Sequence, residues 1–255
     1  VATDLEVTID GLTLRNGRTT GDGSPDYAGG AILSDASGTL TISNSLLTGN
    51  FTTGNGAVGG AVAVYDMTIN ITDSSITGNG TTGPSSDGGA IFSLEGNISI
   101  ADSTISGNQA VGNDSYGGGI AHIYGNLTLV RSTLSLNSST EDGGGVFSVD
   151  GDITVIDSTI SGNISLDDAG GINTYYGDIL VVNSTISGNI SYDDGGGIYS
   201  YDGAVTIINS TISGNSATEY GGGIYADDST VTIINSTITG NSASRGGGVD
   251  LYADD

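Results

Sequence analysis

The side chains able to do chemistry are few and one-sided. Among 255 residues there are 29 acidic groups, four arginines (Arg15, Arg18, Arg131, Arg245) and one histidine, His122. Lysine and cysteine are absent, so there is no disulfide, no thiolate metal site and no thiol nucleophile. A lone histidine cannot build the His/Cys set that zinc takes. Without a histidine base the many serines are not nucleophiles. His122 itself falls in a column with Ser34, Val64, Ser93, Ser148, Thr174 and Ser200 that is expected to face inward. It reads as a satisfied core residue.

The carboxylates remain. A glycosidase needs one pair of them flanking one bond. Here they recur, as Asp87, Glu141/Asp142, Asp167/Asp168, Asp193/Asp194 and Glu219, and again as Asp66, Glu95, Asp150, Asp202 and Asp228. A catalytic site is a unique constellation, whereas a series is a property of a repeat. A polysaccharide lyase also needs a basic residue to take a proton. Arg131 stands in a corner column of Asn and Asp and is expected to pair with Asp102 and Asp157. Arg245 precedes Gly246 and is expected to offset nearby carboxylates. The expectation is therefore no enzyme, with a carbohydrate-active enzyme as the alternative.

Stacked like charges repel by roughly 1 kcal/mol or more per pair at surface dielectric. Solvation, proton uptake or a bound cation can relieve this. The twin-acid turns at Asp142, Asp167, Asp168, Asp193 and Asp194 are candidate calcium ligands, since calcium takes six to eight oxygens. Solvated charge is the other reading, and the Gly-Gly-x-Gly-x-Asp nonapeptide of calcium β-rolls is missing. No other cofactor is expected.

The net charge of −25 argues against nucleic acid and anionic membrane as partners. No apolar run approaches the ~20 residues of a membrane helix. The chain opens on Val1 with no visible signal peptide, as expected of a processed, exported chain or a segment of a longer one. An extracellular or cell-surface location follows as the expectation.

A repeat must position these groups. An apolar residue closes a Gly-rich motif at Ile32, Val62, Ile91, Ile120, Val146, Ile172, Ile198, Ile224 and Val249, in steps of 30, 29, 29, four of 26, and 25 residues. An Asn ends each unit, from Asn50 to Asn241, and the extra residues of the longer units all fall between that Asn and the next Gly pair. Each unit holds three period-two alternations, which read as strands with one face inward. The first follows the Gly pair. The second carries Ile71, Ile100, Val155, Val181, Ile207 and Ile233, expected to be buried in one column. The third centres on Leu47, Ile76, Ile105, Leu134, Ile160, Ile186, Ile212 and Ile238. Three short strands per coil without helices predict an all-β parallel β-helix, a solenoid of about 8–9 coils of 26–29 residues spanning 1–255 as a single domain. At ~4.8 Å per coil the rod would be about 40 Å long. Amides at the corner column (Asn44, Asn183, Asn209, Asn235) are expected to hydrogen-bond along the rod.

These motifs resemble the right-handed parallel β-helix superfamily that includes pectin lyases, and more closely the polymorphic outer-membrane-protein repeats of bacterial surfaces. Gly29–Ile32 and Gly88–Ile91 match the Gly-Gly-Ala-Ile tetrapeptide of the latter, and Gly59–Val62 nearly so. Its Phe-x-x-Asn tetrapeptide is here Ile-x-Gly-Asn, as at Ile105–Asn108. The resemblance implies an exported surface or adhesive protein.

On the strand after each Gly motif the outward positions read Phe92, Phe147, Tyr199, Tyr225 and Tyr65, Leu94, Ile123, Val149, Tyr175, Tyr201. A Tyr-rich stripe (Tyr65, Tyr175, Tyr199, Tyr201, Tyr225) is a candidate interaction surface for glycans or another rod. Stacked aromatics that only stabilise the sheet are the alternative. Sequons such as Asn70, Asn97, Asn126 and Asn183 arise from the repeat and decide nothing about glycosylation. Both ends read as uncapped, and head-to-tail stacking of copies through Val7, Ile9, Val249 and Leu251 is expected, as in a fibre subunit, or else continuation as the stalk of a larger adhesin.

Overall fold

The structure is a computed structural model that describes residues 4–23 and 28–253. Of the end segments, 1–3 and 254–255 therefore lie outside the described residues. Among the described residues there is no helix, and the strands line up in four all-parallel sheets of nine, nine, seven and nine strands. Every strand pairs with its counterpart one coil away, so the chain winds as a parallel β-solenoid.

One coil shows the logic. Val146–Val149, Ile153–Ile156 and Thr159–Ser161 are its three main strands; the second and third bury alternate residues, whereas the first buries Val146, Phe147 and Ser148 in succession. Asp150 (φ 53°), Asp157 (φ 50°) and Gly162 (φ 64°) turn the chain between and after them. The left-handed backbone region is reached most cheaply by Gly, Asn and Asp. This explains why the corners after the second strand read Asn44, Asp73, Asp102, Asp157, Asn183, Asn209 and Asn235, all at positive φ. It also explains one of the two acidic series: Asp66, Glu95, Asp150, Asp202 and Asp228 are exposed corner residues at positive φ.

The fourth sheet was not anticipated. It is a two-residue ladder running from Arg18–Thr19 through Phe51–Thr52, Gly80–Thr81, Gln109–Ala110, Ser138–Ser139 and Ile164–Ser165 to Ile190–Ser191. Two residues show no periodicity, and the inward one is Thr, Ala or Ser. Close to this ladder a side chain at Gly89 would place its Cβ 2.2 Å from the Gly118 carbonyl oxygen, so the Gly pair is needed for backbone approach.

The core runs the length of the rod as like-on-like columns. Ile42, Ile71, Ile100, Leu129, Val155, Val181 and Ile207 pair in register and are at most 2% exposed. Ile233 continues the column but is 39% exposed, contrary to expectation, because no coil covers it in the described residues. Leu251, 59% exposed, sits at the same end, in register with the inward-facing Ala226. At the other end Val7 and Ile9 are half-buried, as is Val249.

Two polar ladders are built into this interior. Ser45, Ser74, Ser103, Ser132, Ser158, Ser184, Ser210 and Ser236 each accept the backbone N–H of the serine before them or pass the pattern on, as in Ser103 N–H to Ser132 Oγ at 3.2 Å. The second ladder is the Asn that ends each unit. Asn108 Nδ2 donates to Asn137 Oδ1 at 3.0 Å and to the Ile76 carbonyl at 3.0 Å, while its backbone N–H reaches the same Asn137 Oδ1. The continuous amide stack is thus this buried column and not the corner column, where Asn183 reaches Asp157 at 3.2 Å and Asn209 reaches Asn183 at 3.4 Å.

Candidate functional site

His122 is buried, as its column predicted. Its Nε2 donates to the Gly96 carbonyl at 2.8 Å, which makes Nδ1 the bare nitrogen, and Nδ1 has no partner. The ring is therefore only half satisfied. Burial lowers its pKa and keeps it neutral. Arg131 makes a bidentate pair with Asp102, at 2.7 and 2.6 Å, but no ion pair with Asp157. Arg245 grips Asp250 at 2.8 and 3.0 Å and lies 4.9 Å from the Tyr220 ring centroid.

The aromatic face is largely covered by the chain itself. Tyr199 and Tyr225, expected on an open stripe, are 8% and 7% exposed, and Phe92 and Phe147 are equally buried. The turns before the Gly pairs fold down over this column. Ala169 packs with Tyr199 and Tyr225, and Ala28 and Val58 pack with Ala63, Phe92 and Ala121. Rings cross-link turn and strand: Tyr116 lies 4.7 Å from Phe147, and Tyr220 stacks at 5.7 Å on Tyr225. The outermost column, Tyr65, Tyr175 and Tyr201, stays half-exposed. Tyr199 and Tyr225 thus belong to a second small core, and the open part of the stripe is one column wide.

The twin-acid turns are the other product of this covering. Along the turn the residues read Asp87, Tyr116, Asp142, Asp168, Asp194, Tyr220, Arg245, and each carboxylate accepts the next coil's backbone N–H. Asp87 Oδ1 takes Tyr116 at 2.9 Å, Asp142 Oδ1 takes Asp168 at 3.4 Å, Asp168 Oδ1 takes Asp194 at 3.0 Å and Asp194 Oδ1 takes Tyr220 at 2.9 Å. Beside them run Glu141, Asp167, Asp193 and Glu219. Carboxylate oxygens of Glu141, Asp142 and Asp167 come within 4.8 Å of one another, as do those of Asp167, Asp168 and Asp193. Of the five acids singled out as calcium ligands, Asp142, Asp167, Asp168 and Asp193 fall in these two groups, which share Asp167, and Asp194 falls in neither. Tyr175 donates to Asp142 Oδ2 at 3.0 Å.

Burial raises these carboxyls, and repulsion adds to it. Asp168 is pushed up to about 8, with Asp142 its strongest repulsive neighbour, and Asp142 and Asp194 to about 6. Asp87 also rises to about 6 through burial. One buried residue here was missed. Asn173 interrupts the aromatic column between Phe147 and Tyr199, has no exposed surface, and has no partner for either amide atom. The signal was in the sequence, as the one amide between Phe147 and the tyrosines Tyr199 and Tyr225.

A solenoid of parallel strands stacked coil on coil defines the class. The family described as "Right handed beta helix region" matches residues 2–255, and the chain belongs to that family. Comparison with curated proteins and with solved structures gives no match.

Proposed function

We propose that the chain is a non-enzymatic structural or adhesive rod displayed outside the cell, continued along its axis by copies of itself or by further coils. The observation that carries this reading is that its polar groups act as ladders. Asp152 and Asp178 line a surface groove with Thr154 and Thr206, yet each uses one oxygen to cap the backbone N–H of the next coil. His122 is enclosed, and Arg131 is paired on the surface. The resemblance of Gly29–Ile32 and Gly88–Ile91 to polymorphic outer-membrane-protein repeats supports surface display. The unbroken register of the parallel ladders from coil to coil, like residue over like, supports axial continuation. Electron microscopy of native material tests the reading, with sedimentation over a range of concentrations. The expected result is filaments that Leu251→Asp disrupts. Discrete rods about 40 Å long at every concentration, or turnover of a polysaccharide by the pure chain, would overturn it.

A further inference from the structure

The asparagine ladder restricts how this chain can be made. Asparagine followed by any residue but proline and then by Ser or Thr is the acceptor triplet of N-linked glycosylation, and an acceptor belongs on the surface. Five of these triplets begin at ladder asparagines: Asn50-Phe51-Thr52, Asn79-Gly80-Thr81, Asn137-Ser138-Ser139, Asn163-Ile164-Ser165 and Asn189-Ile190-Ser191. All five asparagines have no exposed surface. In each, both hydrogens of Nδ2 are committed. Asn163 Nδ2 donates to the Leu134 carbonyl at 3.1 Å and to Asn189 Oδ1 at 2.9 Å. Asn189 Nδ2 donates to the Ile160 carbonyl at 3.1 Å and to Asn215 Oδ1 at 2.9 Å. Asn50, Asn79 and Asn137 repeat the pattern.

Glycosyl transfer joins Nδ2 to the anomeric carbon of the sugar; the lipid diphosphate leaves and Nδ2 gives up one proton. The product has one N–H where the ladder uses two, and it carries a sugar into a closely packed interior. The transferase acts on the emerging chain, before the ladder forms to hide the amide. The third residues of the triplets have structural tasks of their own. Thr52 Oγ1 donates to the Ala57 carbonyl at 2.6 Å, Ser139 Oγ to the Glu141 carbonyl at 2.6 Å and Ser191 Oγ to the Asp167 carbonyl at 2.7 Å. Yet Ala110 and Ala217 stand at the same place after Asn108 and Asn215, so the fold accepts a residue that removes the triplet. We propose that this chain is exported by a route without N-linked glycosylation, which leaves the ladder asparagines unmodified until they are buried. The proposal rests on the reading that the chain is exported, and it holds equally for a rod or an enzyme on this fold.

The test sends the wild-type chain through the secretory pathway of a glycosylating eukaryotic cell, with and without tunicamycin, which withholds the sugar donor. A five-site variant (Thr52→Ala, Thr81→Ala, Ser139→Ala, Ser165→Ala, Ser191→Ala) keeps every ladder asparagine and removes the five triplets. Without the drug, mass spectrometry should find sugar on ladder asparagines, and protease-resistant wild-type chain should be at least tenfold scarcer than with it. The variant should resist protease with or without the drug and carry sugar only at surface positions such as the exposed Asn97, Asn126 and Asn183. Should the variant fail to fold even in a bacterial cytosol, the wild-type comparison alone decides. Wild-type chain secreted in protease-resistant form without tunicamycin would overturn the proposal, as would a loss that tunicamycin does not relieve. N-linked sugar on any asparagine of native material would overturn it directly. Filament formation and polysaccharide turnover, which test the rod, play no part in these readouts.

Discussion

Removing one rung from the middle of the asparagine ladder should cost far more than removing the last rung. Asn137 makes four side-chain hydrogen bonds. Its Oδ1 accepts from the backbone N–H and the Nδ2 of Asn108, both at 3.0 Å, and its Nδ2 donates to the Ile105 carbonyl at 3.2 Å and to Asn163 Oδ1 at 3.0 Å. Replacing it with Ala leaves the Asn108 backbone N–H without its acceptor and the Ile105 carbonyl without its side-chain donor, in a place with no exposed surface at Asn137. Asn108 Nδ2 keeps the Ile76 carbonyl and Asn163 Oδ1 keeps the Asn137 N–H, so those losses are partial. Two buried groups deprived of partners cost about 1–3 kcal/mol each, which puts Asn137→Ala at about 2–6 kcal/mol. Asn241 offers the same bonds to Asn215 and Ile212, but it is half-buried and water can replace them, so Asn241→Ala should cost about 1 kcal/mol. Urea unfolding gives the difference, and exchange of the Asn108 amide localises it, a needed check because repeat arrays do not always unfold in one step. Asn137→Asp adds a control: an oxygen would face the Ile105 carbonyl and Asn163 Oδ1, so its penalty should shrink at low pH. If Asn137→Ala and Asn241→Ala differ by less than about 1 kcal/mol, the ladder contributes no more than ordinary surface bonds and the reasoning fails.

Ile100→Ala, at a position with no exposed surface, should destabilise by about 2–5 kcal/mol in the same assay, and Ile233→Ala by much less, since Ile233 is 39% exposed. Leu136 takes the place held elsewhere by Gly, at φ 58° and 69% exposed, so Leu136→Gly should raise the unfolding free energy by about 1 kcal/mol; no gain would remove the strain argument. Asp87, Asp142, Asp168 and Asp194 have raised pKa values, so the folded chain holds extra protons and, in chelator, stability should be highest near pH 4 and fall as pH rises to about 8. A thermal midpoint that rises over that window would contradict the burial of these groups. Mild nitration should modify Tyr192, Tyr176 and Tyr124, at 60%, 53% and 50% exposure, before Tyr199 and Tyr225; the reverse order would show that the turns do not cover the aromatic column.

Periodicity made the main columns legible because apolar residues at fixed intervals must stack on their own kind. Ile71, Ile100 and Val155 follow from that alone. What it could not supply was the path of the polar turns. The two-residue ladder through Thr52 and Thr81 has no alternation to see. Tyr199 and Tyr225 look outward by strand parity, and only the folded-down turns make them interior. Asn50 to Asn241 were visible as a mark of the repeat, but their placement depends on the left-handed residue before each, a glycine such as Gly107 at φ 63° everywhere except Leu136, which swings the amide inside. The acids of the twin-acid turns stand out in the sequence because their stacking breaks the rule that like charges stay apart. Asn173 was passed over because a missing aromatic attracts less notice than an added charge.

The uniform register has a bearing on how such a chain comes into being. Each main ladder joins a residue to one about a single coil away, as Ile71 to Ile100 or Ile160 to Ile186. Closing each new turn therefore carries nearly the same entropic cost, and no step waits for the far end of the polypeptide. A molecule of this kind can be laid down from one terminus like rope onto a spool, every finished winding serving as the template for the next. The irregular residues, His122, Arg131 and Asn173 among them, then tell one winding from another, and a strand that slips by a whole turn must bring them face to face with the wrong neighbours.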